Sequence, residues 1–210
     1  MSERFNQVAG EWDKGGIRQN IAHFVFQTIA SRIALLNNMN IMDFGAGTGL
    51  LSFKIASMVK RVVGVDLSQK MLEQLESKNN STLSVQPICQ DILNTPLQEQ
   101  FHGIVSSMAM HHVEDTFELF KAFYNHLKRD GFIAIADLEA EDGTFHTHGN
   151  DGVYHFGFEK ESLRGTIEKA GFEHVRFHHA YTVQKSEREY PIFVVTATKK
   201  VVKSDLLERF

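Results

Sequence analysis

Ile41-Met42-Asp43-Phe44-Gly45-Ala46-Gly47-Thr48-Gly49 is the stretch that decides the fold. Its first part, with Asn40 before it, is the short apolar run of a strand buried on both faces. Its second part is a glycine-rich turn, Gly45 to Gly49, and the spacing predicts a helix from Leu50 to about Met58. The glycines permit a tight turn and let a ligand approach the backbone with no Cβ in the way. A dinucleotide fingerprint would read G-x-G-x-x-G. Here the glycines read G-x-G-x-G and the sixth position is Leu50. Asp43, just ahead of the first glycine, would repel a pyrophosphate. A carboxylate there suits a ligand bearing an ammonium or sulfonium group.

Working outward, Arg61 to Asp66 is a second strand, since Val62-Val63-Gly64-Val65 is apolar without alternation. Ser68 is a good N-cap for a helix whose Met71, Leu72 and Leu75 share a face. Leu83 to Ile88 alternates as a third strand, and Pro87 suits an edge. Gly103 to Met108 is a fourth strand, followed by a helix from about Thr116 to Lys128. Asp130-Gly131 ends that helix and Phe132 to Leu138 is a fifth strand. Residues 139–157 form a long irregular segment, and a helix from Glu159 to Ala170 closes on Gly171. His174 to His179 and Ile192 to Thr198 can pair as a hairpin. Ahead of the glycine turn lie a short helix with Phe5, Val8 and Trp12 and a longer one over Gln19 to Leu36, stopped at Asn37-Asn38. Strands alternating with helices predict an α/β fold with a doubly wound sheet, which binds ligands at the carboxyl ends of its strands.

The residues at those ends form one set. Asp66 stands about 20 positions after the glycine turn, where a carboxylate accepts from both ribose hydroxyls. Leu67 and Met71 can flank an adenine, Asp91 can accept from its amino group, and the Ile92 amide can donate to a ring nitrogen. Ser107 ends the fourth strand, the position nearest a transferred group, and His111 and His112 follow it. With Asp43, Gly45, Ala46, Gly47 and Gly49, this set selects S-adenosyl-L-methionine over NAD. Its order and spacing resemble the class I S-adenosylmethionine-dependent methyltransferases. The look is closest to the small-molecule branch that includes quinone-biosynthesis C-methyltransferases. Arg4-Phe5-Asn6, Trp12-Asp13, Leu127-Lys128-Arg129-Asp130-Gly131 and Ala170-Gly171-Phe172 also resemble that branch. Arg129-Asp130 departs from the Pro-Gly often found there. The resemblance implies a Rossmann-like, seven-stranded, mostly parallel sheet with an antiparallel last strand.

The expectation is one methyltransferase domain over residues 1–210, with 1–37 as an N-terminal helical cap and 139–157 as a substrate-side loop. His111 or His112 is a candidate general base, or else caps the following helix. Trp12, Phe145, Tyr154 and Phe156 are candidate acceptor contacts, with plain packing as the other reading of the loop aromatics. His146, His148 and His155 share the loop with Asp142 and Asp151, but their spacing fits no defined metal site, so no metal is expected. A net charge of -4, from 22 basic and 26 acidic residues, disfavours a nucleic-acid partner. Lys199, Lys200 and Lys203 are read as a solvated tail. The lone Cys89 fits a reducing compartment, and no signal-peptide core or membrane-length apolar run is present, so the cytoplasm is expected. The function read from the sequence is methyl transfer to a small-molecule acceptor. A macromolecular acceptor and a non-catalytic cofactor-binding domain are the alternatives.

Overall fold

The computed structural model describes residues 2–146 and 149–200; His148 and Lys203 lie outside them. Helix α1 (Ser2–Val8) and a 3-10 turn (Ala9–Lys14) precede α2 (Gly16–Arg32). Then come β1 (Asn40–Phe44), α3 (Ser52–Ala56), β2 (Arg61–Asp66), α4 (Gln69–Ser77), β3 (Gln86–Cys89) and β4 (Phe101–Ser107). After a 3-10 turn (Met110–His112) follow α5 (Thr116–His126), β5 (Leu127–Leu138), α6 (Lys160–Lys169), β6 (Phe172–Lys185) and β7 (Arg188–Lys199).

The seven strands form one sheet in the order β3-β2-β1-β4-β5-β7-β6. β1 pairs in parallel with β2 on one side and β4 on the other, so the winding reverses at β1. A crevice opens at the carboxyl ends of strands at such a switch point. The last strand, β7, runs antiparallel to both neighbours. Two apolar layers cover the sheet. Ile41, Val62 and Val105 face one layer with Val25 and Ile29 of α2 and Ile55 of α3. Met42, Val63 and Ile104 face the other with Phe120 and Phe123 of α5 and Ile167 of α6. Each such fully buried side chain contributes about 1.5–3 kcal/mol by transfer out of water. That is why β1 and β2 read as unbroken apolar runs.

Local caps agree with the sequence. The Ser68 hydroxyl accepts from the Met71 amide at 3.2 Å to start α4. Asp115 caps α5 by accepting from the Phe117 and Glu118 amides. Several boundaries differ. α2 starts and ends earlier than expected, because Gly15 and Ile33 are both extended; Asn37-Asn38 then form a turn closed by Met39 N donating to Leu36 O at 3.0 Å. α3 is shorter, because Gly47 and Gly49 hold positive φ and delay helical geometry to Ser52. Asp130-Gly131 does not end a helix. It sits inside β5 as an irregularity, with Asp130 at φ 59° and a register shift between Phe101 and Gly103 on β4. The final hairpin is longer than expected and closes through Ser186-Glu187.

Candidate functional site

The glycine turn is sewn to β2: the Gly45 and Ala46 amides donate to the Val65 carbonyl at 2.8 and 3.0 Å. Gly45 has φ 67°, and a Cβ there would stand 2.3 Å from the Ala109 Cβ. No side chain fits between the ends of β1 and β4. Gly47 has φ 53° and lines the cavity, where a Cβ would meet only open space.

Three carboxylates stand along the strand ends. Asp43 on β1 is buried, and its Oδ2 accepts from the Ser52 hydroxyl at 2.5 Å. Burial pushes its carboxyl up to about 7, against the Ser52 hydrogen bond and with help from the Asp66 charge. Asp66 on β2 accepts from the Gly47 amide at Oδ2 and the Ser68 amide at Oδ1, both at 2.8 Å. Burial raises its pKa, while those amides lower it. Asp91, after β3, organises its own turn by accepting from the Leu93 amide at 3.0 Å and the Asn94 side chain at 2.7 Å.

These ends enclose a cavity of about 510 Å³. Asp43, Gly45, Ala46, Gly47, Asp66, Leu67, Met71, Asp91, Ile92, Ser107, His112, Trp12 and Tyr154 all line it. Four expected site residues do not. Gly49 is turned away against Phe53 and Leu75. Phe145 is buried on Tyr190 and Lys185. Phe156 lies over Gly143. His111 is buried one step behind the wall. Phe145 packs against its own neighbours, whereas Phe156 is exposed beside Gly143; neither side chain lines the cavity, so the expectation of acceptor contacts is corrected for both.

The N-terminal segment roofs the cavity. Phe5 sits edge-on to Trp12 and His112 at 5.7 and 5.2 Å. The Arg18 guanidinium, not singled out in the sequence, covers the Trp12 ring at 3.9 Å and reaches the cavity wall. Polar ties hold the roof down. The Asn6 carbonyl accepts from Ser68 Oγ at 2.7 Å, and Asp13 accepts from Thr48 Oγ1 at 2.6 Å and pairs with Lys78. Arg4 donates to the Gly149 and Asp151 carbonyls at 3.2 and 3.0 Å, joining α1 to the loop after β5.

In that loop the histidines separate. His155 contacts the Val113 and Glu114 carbonyls. His146 joins His111 and His112 in a ring cluster, with centroids 4.1 to 5.9 Å apart. His112 and His146 are each pushed down to about 4, chiefly by burial and then by His111. Among the described residues, no three histidine, cysteine or acidic side chains converge as metal ligands. No described helix is long and apolar enough to cross a membrane.

Residues 41–131 match the family model described as a methyltransferase domain. An uncharacterised methyltransferase of Schizosaccharomyces pombe is 30% identical over 151 residues, 64% of this chain and 53% of that protein. A malonyl-[acyl-carrier protein] O-methyltransferase of Bacillus anthracis is 22% identical over 144 residues, 67% of this chain and 53% of that protein. The chain thus spans about half the length of the curated relatives it matches first. The methyltransferase solved in complex with the Haloferax volcanii Trm112 methyltransferase activator superposes with a TM-score of 0.78 at 14% identity, over 94% of this chain and 98% of that one. Fold and matched segment together support a class I S-adenosylmethionine-dependent methyltransferase, with residues 41–131 carrying the match to a methyltransferase domain. Solved structures of the same fold contain S-adenosylmethionine. The lining is chemically compatible with that molecule: Gly47 leaves open the space a Cβ would fill, and Asp43, Asp66 and Asp91 offer acceptors for ammonium and hydroxyl groups.

Proposed function

We propose that this domain methylates a small-molecule acceptor, in the cytoplasm and with neither nucleic acid nor membrane as partner. The observation that carries this reading is the roofed, aromatic end of the cavity. Phe5 sits edge-on to both Trp12 and His112, and Tyr154 and Ser107 line the same cavity. Aromatic walls with few polar groups are the usual make-up of a small-ligand pocket.

The residues divide the work. Asp43 pairs with the cofactor ammonium, and Asp66 uses its remaining lone pairs for the ribose hydroxyls. Leu67 and Met71 flank the adenine, the Ile92 amide donates to its ring, and Asp91 accepts from its amino group. Gly45, Ala46 and Gly47 bring backbone against the ligand. Bound there, the cofactor supplies a methyl group with its leaving group attached. The chain's own task is to bind, orient and exclude water. Trp12 and Tyr154 hold the acceptor, and His112 meets its reacting atom. His111 stands behind His112.

The test is product formation from methyl-labelled S-adenosylmethionine offered to a metabolite pool, to total protein and to RNA. Label in the small-molecule fraction is expected. Label confined to intact protein or RNA would sink this reading. Label on an acyl group carried by a protein would move it to the acceptor type named in the Bacillus anthracis relative.

A further inference from the structure

Asp137, near the end of β5, is fully buried, and among the described residues its carboxylate meets two donating backbone amides and the His111 ring nitrogen Nδ1. Its Oδ1 accepts from His111 Nδ1 and the Leu138 amide, both at 2.8 Å. Its Oδ2 accepts from the His111 amide at 3.1 Å. A carboxylate suits such a site because it only accepts. It also keeps the His111 proton on Nδ1, since the partner of one ring nitrogen sets the state of the other. His111 Nε2 is buried and has no hydrogen-bond partner among the described residues.

The chain of contacts continues outward. The His111 carbonyl accepts from the Tyr154 and His155 amides at 3.0 and 3.2 Å, which ties the loop after β5 to the site. From that loop the Gly152 carbonyl meets His112 Nδ1 at 2.7 Å. A carbonyl only accepts, so this ring also carries its proton on Nδ1 and leaves Nε2 bare. The His112 ring lines the cavity.

We propose that Asp137 is a positioning residue: acting through His111 and the loop, it fixes the tautomer and angle of His112. A bare Nε2 then faces an acceptor whose nucleophilic atom is a nitrogen or oxygen carrying hydrogen. Such an N–H or O–H donates to Nε2, which turns the acceptor's own lone pair to a defined direction. A nucleophile without that hydrogen, such as a thioether, gains nothing from the arrangement. The acceptor class rests on the small-molecule reading above; the tautomer does not.

Nitrogen-15 NMR of the imidazoles in the full chain, without ligand, tests this. The native protein should hold His112 as one tautomer with hydrogen on Nδ1. Asp137→Asn sets an amide against three donors and should mix the His112 tautomers. It should also lower kcat by about tenfold or more, within what proton transfer by a positioned side chain contributes, with S-adenosylhomocysteine affinity unchanged. His111→Ala should mix the tautomers too. His111→Asn, whose amide still donates to Asp137, should restore the single tautomer; this pair decides if Asp137→Asn does not fold. An unchanged His112 in Asp137→Asn and His111→Ala overturns the proposal. A tautomer shift together with no small-molecule turnover would overturn only the acceptor reading.

Discussion

Gly47 donates its backbone amide to the Asp66 carboxylate across 2.8 Å. The end of β2 thereby fixes the glycine turn after β1, and the bond leaves Asp66 with lone pairs directed at the cavity. Hydrogen bonds to a charged group are each worth about 1.5–3 kcal/mol. Asp66→Ala should therefore weaken S-adenosylhomocysteine binding about ten- to a hundredfold by calorimetry. Unchanged affinity would remove Asp66 from the ribose site.

Gly45 and Gly47 should fail in different ways. Gly45→Ala forces a Cβ to 2.3 Å from that of Ala109, so it should lower the melting temperature, costing about 1–3 kcal/mol as overpacking does. At Gly47 a Cβ meets no heavy atom within 4 Å beyond its chain neighbours, so the side chain of Gly47→Val projects into the cavity. The variant should keep the fold apart from about 1–2 kcal/mol of left-handed strain, and lose cofactor binding. Thermal melts with and without S-adenosylhomocysteine separate the two outcomes.

Asp43 makes cofactor binding depend on pH. Its folded pKa of about 7 lies above its ordinary 3.8, so the folded chain holds a proton that the unfolded chain has lost. The stability it contributes is complete below about pH 4, falls as pH rises to about 7, and is flat above. A bound ammonium needs the ionised form, so S-adenosylhomocysteine affinity should rise by up to about tenfold per pH unit below 7 and then level. Asp43→Asn should flatten both profiles. A slope that survives the substitution belongs to another group.

His112 and His146 act in the opposite sense. Their folded values of about 4 lie below the ordinary 6.5. The stability they contribute is complete above about pH 6.5 and is lost as pH falls toward 4, because the unfolded chain takes up protons that the folded chain refuses. In an Asp43→Asn background, urea midpoints should drop between pH 6.5 and 4. Adding His112→Gln and His146→Gln should remove most of that drop.

The N-terminal roof should serve the acceptor more than the cofactor. Deleting the residues before Asp13 removes Phe5 and Trp12 and should raise acceptor KM or lower kcat more than it weakens S-adenosylhomocysteine binding. Arg4→Ala cuts only the two bonds to the loop and should show a smaller change in the same direction. Equal loss of both affinities would make the roof a cofactor element.

What was legible in the sequence was local. The glycine turn, the Ser68 cap and the spacing from Gly47 to Asp66 each follow from chemistry within a few residues or one βαβ unit, and the cavity unites them. What was not legible depends on distant partners. Asp137 interrupts an apolar strand, a signal in itself, but its meaning comes from His111, 26 positions away. His111 and His112 are neighbours in sequence, yet a 3-10 turn buries one and aims the other at the cavity. The loop after β5 has no periodicity, so nothing local separated Tyr154, which lines the cavity, from the buried Phe145 and the exposed Phe156. Arg18 reads as an ordinary exposed helix charge until Trp12 folds beneath it.

Isothermal titration of the full chain with S-adenosylhomocysteine and, separately, with NAD tests the central claim most directly. Saturable one-to-one binding of S-adenosylhomocysteine, abolished by Gly47→Val, with no heat from NAD, is the predicted result. Binding of NAD with no response to S-adenosylhomocysteine would contradict the account.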